Sequence, residues 1–130
     1  MNAECPELVR FVRGELDAAA FPHQEHVRMA FEMLRRHDFA ESVWLFSRAL
    51  RAMAAQVGKP EAFHQTVTIG FLSIIAERME GRACADFAEF AHQHSDLLDK
   101  KVLTRWYRAE RLGSPVARRT FVLPDSPPCE

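Results

Sequence analysis

The longest regular pattern of apolar residues in this chain has the period of an α-helix. Over residues 39–57, apolar positions recur at intervals of three and four, at Val43, Phe46, Leu50, Met53 and Val57. This spacing places the side chains on one face of a helix, where they can pack against antiparallel neighbours. Asp38 with Glu41 resembles a capping box, and Gly58 followed by Pro60 indicates an end. The pattern therefore predicts a long helix.

The same period governs most of the remaining chain. Apolar residues at helical spacing predict two further long helices over 22–36 and 61–79. A further helix is predicted from Pro6, where Leu8, Val9, Val12 and Leu16 recur at helical spacing before residues 18–21 end it, and shorter helices are predicted over 85–94 and over 115–120. No run alternates as a half-buried strand would, and no segment repeats, so we predict an all-α fold.

The fold prediction extends to domain organisation and core. We expect one α-helical domain over 1–130, a bundle of about four main helices with short C-terminal helices. The Pro-rich end, 122–130, is predicted to be an extended tail. Phe71 and Leu50 lie in the middle of long apolar stripes, so we expect both side chains to be buried.

Composition argues against several classes of protein. The chain has 130 residues, enough for one domain with a core, and a formal net charge of −1 with acidic and basic residues mixed. That balance argues against a general nucleic-acid binder, and no apolar run approaches the roughly 20 residues of a membrane span. Residues 1–17 lack the pattern of a signal peptide. Three widely separated cysteines fit a reducing cytoplasm, so we expect a cytoplasmic protein without nucleic-acid or membrane partners.

Two histidines stand at the start of the helix predicted over 22–36. His23 and His26 are three residues apart, and they lie four residues before Val27 and Ala30 of the buried stripe. On a helix, such residues are about 60° apart around the axis and about 4.5 Å apart along it. Both imidazoles should therefore face inward and reach one point.

A third histidine, His64, comes early in the helix predicted over 61–79. If the helix over 39–57 is an antiparallel return, the helices that carry these histidines start at the same end of the bundle. A catalytic zinc site typically has three protein ligands and an open fourth position, and imidazole also binds nickel, copper and iron. We therefore predict that His23, His26 and His64 bind one divalent transition metal, which is zinc, nickel, copper or iron. The alternative is ordinary hydrogen bonding at helix starts.

Residues near the histidines are candidates for catalytic roles, each with an ordinary alternative. Glu25 is a candidate general base for a metal-bound water, but an acidic residue also stabilises a helix N-terminus. Thr68 lies one turn after His64 and either hydrogen-bonds a ligand or donates back to its own helix. His92 and His94 are further imidazoles, and the sequence leaves open whether either joins the site.

These motifs resemble those of a known family. Phe-x-His-x-x-His-x-Arg, at 21–28, and aromatic-His-x-Thr-x-Thr, at 63–68, are similar to the pattern of small uncharacterised bacterial helical proteins. Later segments that resemble the same family are 96–99, Tyr107, 112–115 and 121–125. The resemblance covers most of the chain after Ala20 and implies a helical fold and the motif positions. The histidine set alone is also similar to damage-inducible helical bundles with a three-histidine metal site, which include thiol transferases; their histidines follow a different order.

The sequence favours a small metal-dependent enzyme that acts on a small molecule. Its ion, at one end of a helical bundle, would be a Lewis acid or would activate bound water or thiol. One alternative is a non-catalytic helical module that binds a metal or a small ligand in the same pocket. Another is a structural or interaction protein with incidental histidines. The patterns do not distinguish reaction types, substrates or oligomeric states.

Overall fold

The computed structural model describes residues 5–81 and 84–125 of the chain. Its α-helices in these residues are α1 (Pro6–Val12), α2 (His23–Arg36), α3 (Phe39–Gln56), α4 (Gln65–Gly81), α5 (Phe87–Gln93), α6 (Ala109–Leu112) and α7 (Pro115–Arg119). Short 3₁₀ helices lie at Ala18–Ala20, Pro60–Ala62, Ser95–Leu98 and Val102–Arg105. The described residues contain no strand, so the all-α prediction is confirmed. None of their helices combines the length and apolar character needed to cross a bilayer.

The boundaries of α3 follow the predicted signals. The Asp38 carboxylate accepts a hydrogen bond from the Glu41 N–H at 2.8 Å, which satisfies a donor of the first turn. Gly58 follows the helix with a φ of +72°, a left-handed conformation that glycine adopts at low steric cost. The helix ends at Gln56, one residue before the predicted end.

The largest departures from the predicted bounds are in α1 and α4. Gly14 adopts a φ of +73°, and α1 stops just before it, after seven residues. The long helices in the described chain are therefore three, α2, α3 and α4, of 14, 18 and 17 residues, where about four main helices were predicted. α4 begins at Gln65 and not near residue 61, because Phe63 is extended with a ψ of 137°. His64 therefore precedes its helix.

The three long helices pack against one another around an aromatic-rich core. α4 contacts α2, α3 and α7, while α1 packs against α2 and α3. The ring centroids of Phe11 and Phe46 are 4.9 Å apart, and those of Phe31 and Phe90 are 4.8 Å apart. Such ring pairs add stability beyond the area that they bury. They join α1 to α3 and α2 to α5.

The two side chains predicted to be buried, Phe71 and Leu50, differ in their exposure to solvent. Phe71 is buried, with 9% of its surface exposed, as predicted. Leu50 is only partly buried, so that prediction is wrong in degree. The reason is local, because Leu50 lines an open cavity at one end of the bundle.

A buried threonine of α4 holds the non-helical end of the described chain. The Thr66 hydroxyl donates to the Thr120 carbonyl at 2.8 Å and accepts from the Val122 N–H at 3.1 Å. The Tyr107 hydroxyl donates to the Val122 carbonyl at 2.8 Å. Residues 122–125 carry no helix, and the remainder of the predicted tail lies outside the described residues.

Candidate functional site

His23, His26 and His64 line a single cavity of about 300 Å³. Most of the other lining side chains are apolar, and the larger ones are Phe21, Phe46, Leu50, Met53, Phe63, Phe71, Leu72 and Ile75. The remaining polar lining residues are Thr68 and Lys100. The structure thus brings the three predicted metal-binding histidines to one apolar cavity.

The cavity lies where several helix ends meet. Its lining comes from the first turns of α2 and α4, from α3 towards its C-terminus, and from the two 3₁₀ helices Ala18–Ala20 and Pro60–Ala62. α2 and α4 both begin here, as expected for two helices separated by an antiparallel return. The shared end on which the three-histidine prediction depends is therefore present.

His26 is partly buried in this lining. Burial, and then the charge of nearby His23, lower the pKa of His26 to about 4, while a hydrogen bond to the Phe21 backbone acts in the opposite direction. The Phe21 ring also packs on the imidazole, with centroids 4.5 Å apart. The ring is therefore neutral at neutral pH. A neutral imidazole has one N–H, which here is directed to the Phe21 backbone, and one nitrogen that keeps a lone pair.

His23 is held by the backbone of a distant segment. Its Nε2 lies 3.0 Å from the Leu97 carbonyl oxygen, and because a carbonyl only accepts, Nε2 carries the proton. The ring meets Phe71 edge to face at a centroid distance of 4.9 Å, and its centroid is 6.4 Å from that of His26. In the neutral ring, Nδ1 keeps its lone pair.

Both ring nitrogens of His64 are engaged. Nδ1 accepts a hydrogen bond from the Val67 N–H at 3.2 Å, so His64 caps the start of α4. Nε2 donates to the Leu112 carbonyl oxygen at 2.6 Å. These opposite roles fix the tautomer, because Nδ1 must hold the lone pair and Nε2 the proton. No lone pair of His64 remains for a metal ion in this arrangement.

The three histidines therefore offer two unused imidazole lone pairs, on His23 and His26, and not three. A catalytic zinc ion typically takes three protein ligands. Within residues 5–81 and 84–125, no group of three or more His, Cys, Asp or Glu side chains is arranged to hold a metal. A three-histidine metal site would require His64 to give up its contact with Val67, because that N–H occupies the lone pair of the neutral ring. The three-histidine metal site stays a prediction, and it requires this rearrangement of the His64 hydrogen bonds.

The two predicted catalytic residues have structural partners. Glu25 lies outside the cavity lining, and its carboxylate accepts from the Arg28 guanidinium at 2.8 and 3.1 Å. Thr68 lines the cavity, and its hydroxyl donates to the His64 carbonyl at 2.8 Å, which is the back-bonding alternative. Neither contact requires a catalytic role.

The two further histidines lie outside the cavity lining. His92 is exposed, and His94 Nδ1 accepts from Arg78 at 3.2 Å. Arg78 also donates to both carboxylate oxygens of Asp96, at 3.1 and 2.9 Å, and Arg105 donates to the same carboxylate at 3.0 Å. Hydrogen bonding from Arg78 is the largest of the effects that bring the pKa of Asp96 down to about 2. This cluster fastens α4 to the segment after α5.

Three features of the site carry no signal in the sequence. Lys100 lines the cavity from the turn between two 3₁₀ helices, where no periodicity indicates the direction of a side chain. The carbonyls of Leu97 and Leu112 fix the tautomers of His23 and His64. Every residue has a carbonyl, so residue type does not identify these acceptors.

Comparisons with known proteins assign no family to the chain. No protein-family model matches it, and no curated protein or solved structure shows significant similarity to it. The resemblance to small bacterial helical proteins stays a prediction.

Proposed function

We propose that this protein is a helical module that binds a small, mostly apolar molecule in the cavity lined by His23, His26 and His64. The observation that carries this proposal is the combination of a volume of about 300 Å³ with an aromatic and aliphatic lining. Ligand pockets in proteins start at about this size and have mostly apolar walls with few polar groups. An engineered apolar cavity of about half this volume binds benzene.

The histidines suit a ligand with an uncharged body. The N–H groups of His23 and His64 donate to backbone carbonyls, and His26 is bonded to the Phe21 backbone. What remains for a ligand is an acceptor nitrogen on His23 and one on His26. Each can orient a hydroxyl or amide group, while the surrounding side chains bury hydrocarbon.

A pair of alanines on α3 provides the test. Ala54 is buried and lines the cavity, whereas Ala55 is its exposed neighbour outside the lining. Ala54→Leu fills part of the cavity, and Ala55→Leu adds the same atoms to the surface. We expect Ala54→Leu to weaken binding of the probe 1-decanol at least about tenfold, because one methylene too many in a pocket has effects of this order.

Isothermal titration calorimetry with 1-decanol measures this difference. Ala55→Leu should bind as the unchanged protein does. Absence of 1-decanol binding to the unchanged protein, or equal affinity in the two variants, would contradict the proposal. Circular dichroism spectra of both variants show whether the fold is retained.

A metal-dependent enzyme is the second candidate function. The observation in its favour is that both His23 and His26 line one cavity with an unused lone pair each. Incubation with zinc, nickel, copper and iron followed by elemental analysis tests it. Near-stoichiometric metal that is lost in His23→Ala, His26→Ala and His64→Ala, but not in His37→Ala, would support the three-histidine site. Persistent absence of metal would remove it.

A further inference from the structure

Lys100 is the one Lys, Arg, Asp or Glu residue in the cavity lining formed by the described residues. None of the ion pairs in the described chain involves it. The adjacent Asp99 turns its carboxylate to the Lys101 N–H, at 2.9 Å. The ammonium of Lys100 is therefore a positive charge without a carboxylate partner beside an apolar space.

Lys100 is also placed to meet a ligand without being buried. It is exposed to solvent and yet contributes to the cavity lining, so it lies at the mouth. A lysine stem covers apolar surface while its ammonium stays in water. A ligand charge held at this point keeps its solvation, whereas a charge deeper in the apolar cavity would be strongly unfavourable.

We propose that the ligand is a small carboxylate amphiphile, whose hydrocarbon body fills the cavity and whose carboxylate meets Lys100 at the mouth. This inference rests on the proposed function, because it specifies the ligand of the same cavity. Scaling from the benzene-sized case, the cavity has room for about twelve non-hydrogen atoms. A medium-chain fatty acid or an alkylated aromatic acid has this size.

The test compares three probes of equal chain length and different charge, namely decanoate, 1-decanol and decylamine. In the unchanged protein at low ionic strength, we expect decanoate to bind about two- to fivefold more tightly than 1-decanol, the range of an exposed ion pair. Decylamine should bind more weakly than either. Added salt should shrink these differences, because exposed charges are screened.

Charge reversal at two neighbouring lysines separates a local contact from the net charge. Lys100→Glu should reverse the order, so that decylamine binds more tightly than decanoate. Lys101→Glu changes the net charge equally, but Lys101 is outside the cavity lining, so decanoate should remain preferred. Binding of 1-decanol should be similar in both variants, which also shows that each is folded.

The outcomes of this experiment separate the two proposals. If 1-decanol binds with the same affinity as decanoate, or if Lys101→Glu acts as Lys100→Glu does, the carboxylate inference is wrong and the apolar-ligand function stands. If 1-decanol does not bind the unchanged protein, the proposed function itself is wrong. Reversal confined to Lys100→Glu supports both.

Discussion

Acidification should destabilise this protein through His26. Burial beside His23 lowers the pKa of His26 from 6.5 to about 4 in the folded state. Between these two values the unfolded chain binds the proton and the folded chain does not, so unfolding takes up a proton. The free energy of unfolding is therefore not reduced by His26 above about pH 6.5, and it falls as the pH is lowered from there towards 4. The change that removes this effect is His26→Gln, which keeps a donor for the Phe21 carbonyl.

The size of the effect follows from the two pKa values. Each unit of difference is equivalent to about 1.4 kcal/mol. With 6.5 in the unfolded chain and about 4 in the folded protein, the linkage relation gives a loss of about 2 kcal/mol on going from pH 7 to pH 5. That is a large part of the stability of a small domain. Burial also lowers the pKa of His94, so a smaller loss of the same sign should remain in His26→Gln.

Urea unfolding followed by circular dichroism at pH 7 and pH 5 measures the difference. The quantity compared is the change in unfolding free energy between the two pH values, because His26→Gln also alters stability at pH 7. His92→Gln is the matched control, since His92 is exposed on α5. If the unfolding free energy of His26→Gln falls between pH 7 and pH 5 by as much as that of the unchanged protein, the inference that His26 is buried as a neutral ring is wrong.

Two further predictions concern α4. Thr66→Val leaves the carbonyl and N–H groups that Thr66 bonds without their partner, so we expect a loss of about 1–3 kcal/mol in urea unfolding. The control Thr104→Val, on the surface, should change stability by less than about 0.5 kcal/mol, and equal losses would contradict the role of Thr66. A Cβ added at Gly70 would lie 3.1 Å from the buried Leu103 side chain, whereas one at Gly81 meets no described atom within 4 Å. Gly70→Ala should lower the melting temperature and Gly81→Ala should raise it. A rise in both variants would show that the Leu103 side chain moves to accommodate the added methyl group.

Much of the local structure follows from the sequence. The spacing of apolar residues identifies α2, α3 and α4, because a helix places residues three and four apart on one face. The Asp38 cap and the Gly58 end of α3 are equally local, since their bonds join residues within one or two turns. The positions of His23 and His26 on the inward face follow from the same rule.

Only the tertiary structure decides the chemistry of the histidines. His64 bonds a carbonyl 48 residues away, and His23 bonds one 74 residues away. Spacing along a helix carries no information on such partners, because they depend on how distant segments pack. These contacts engage both nitrogens of His64. Neither the three-residue spacing of His23 and His26 nor the shared end of the bundle predicts that engagement. The cavity and the place of Lys100 at its mouth have the same origin, since they arise where helix ends and turns meet without filling the space between them.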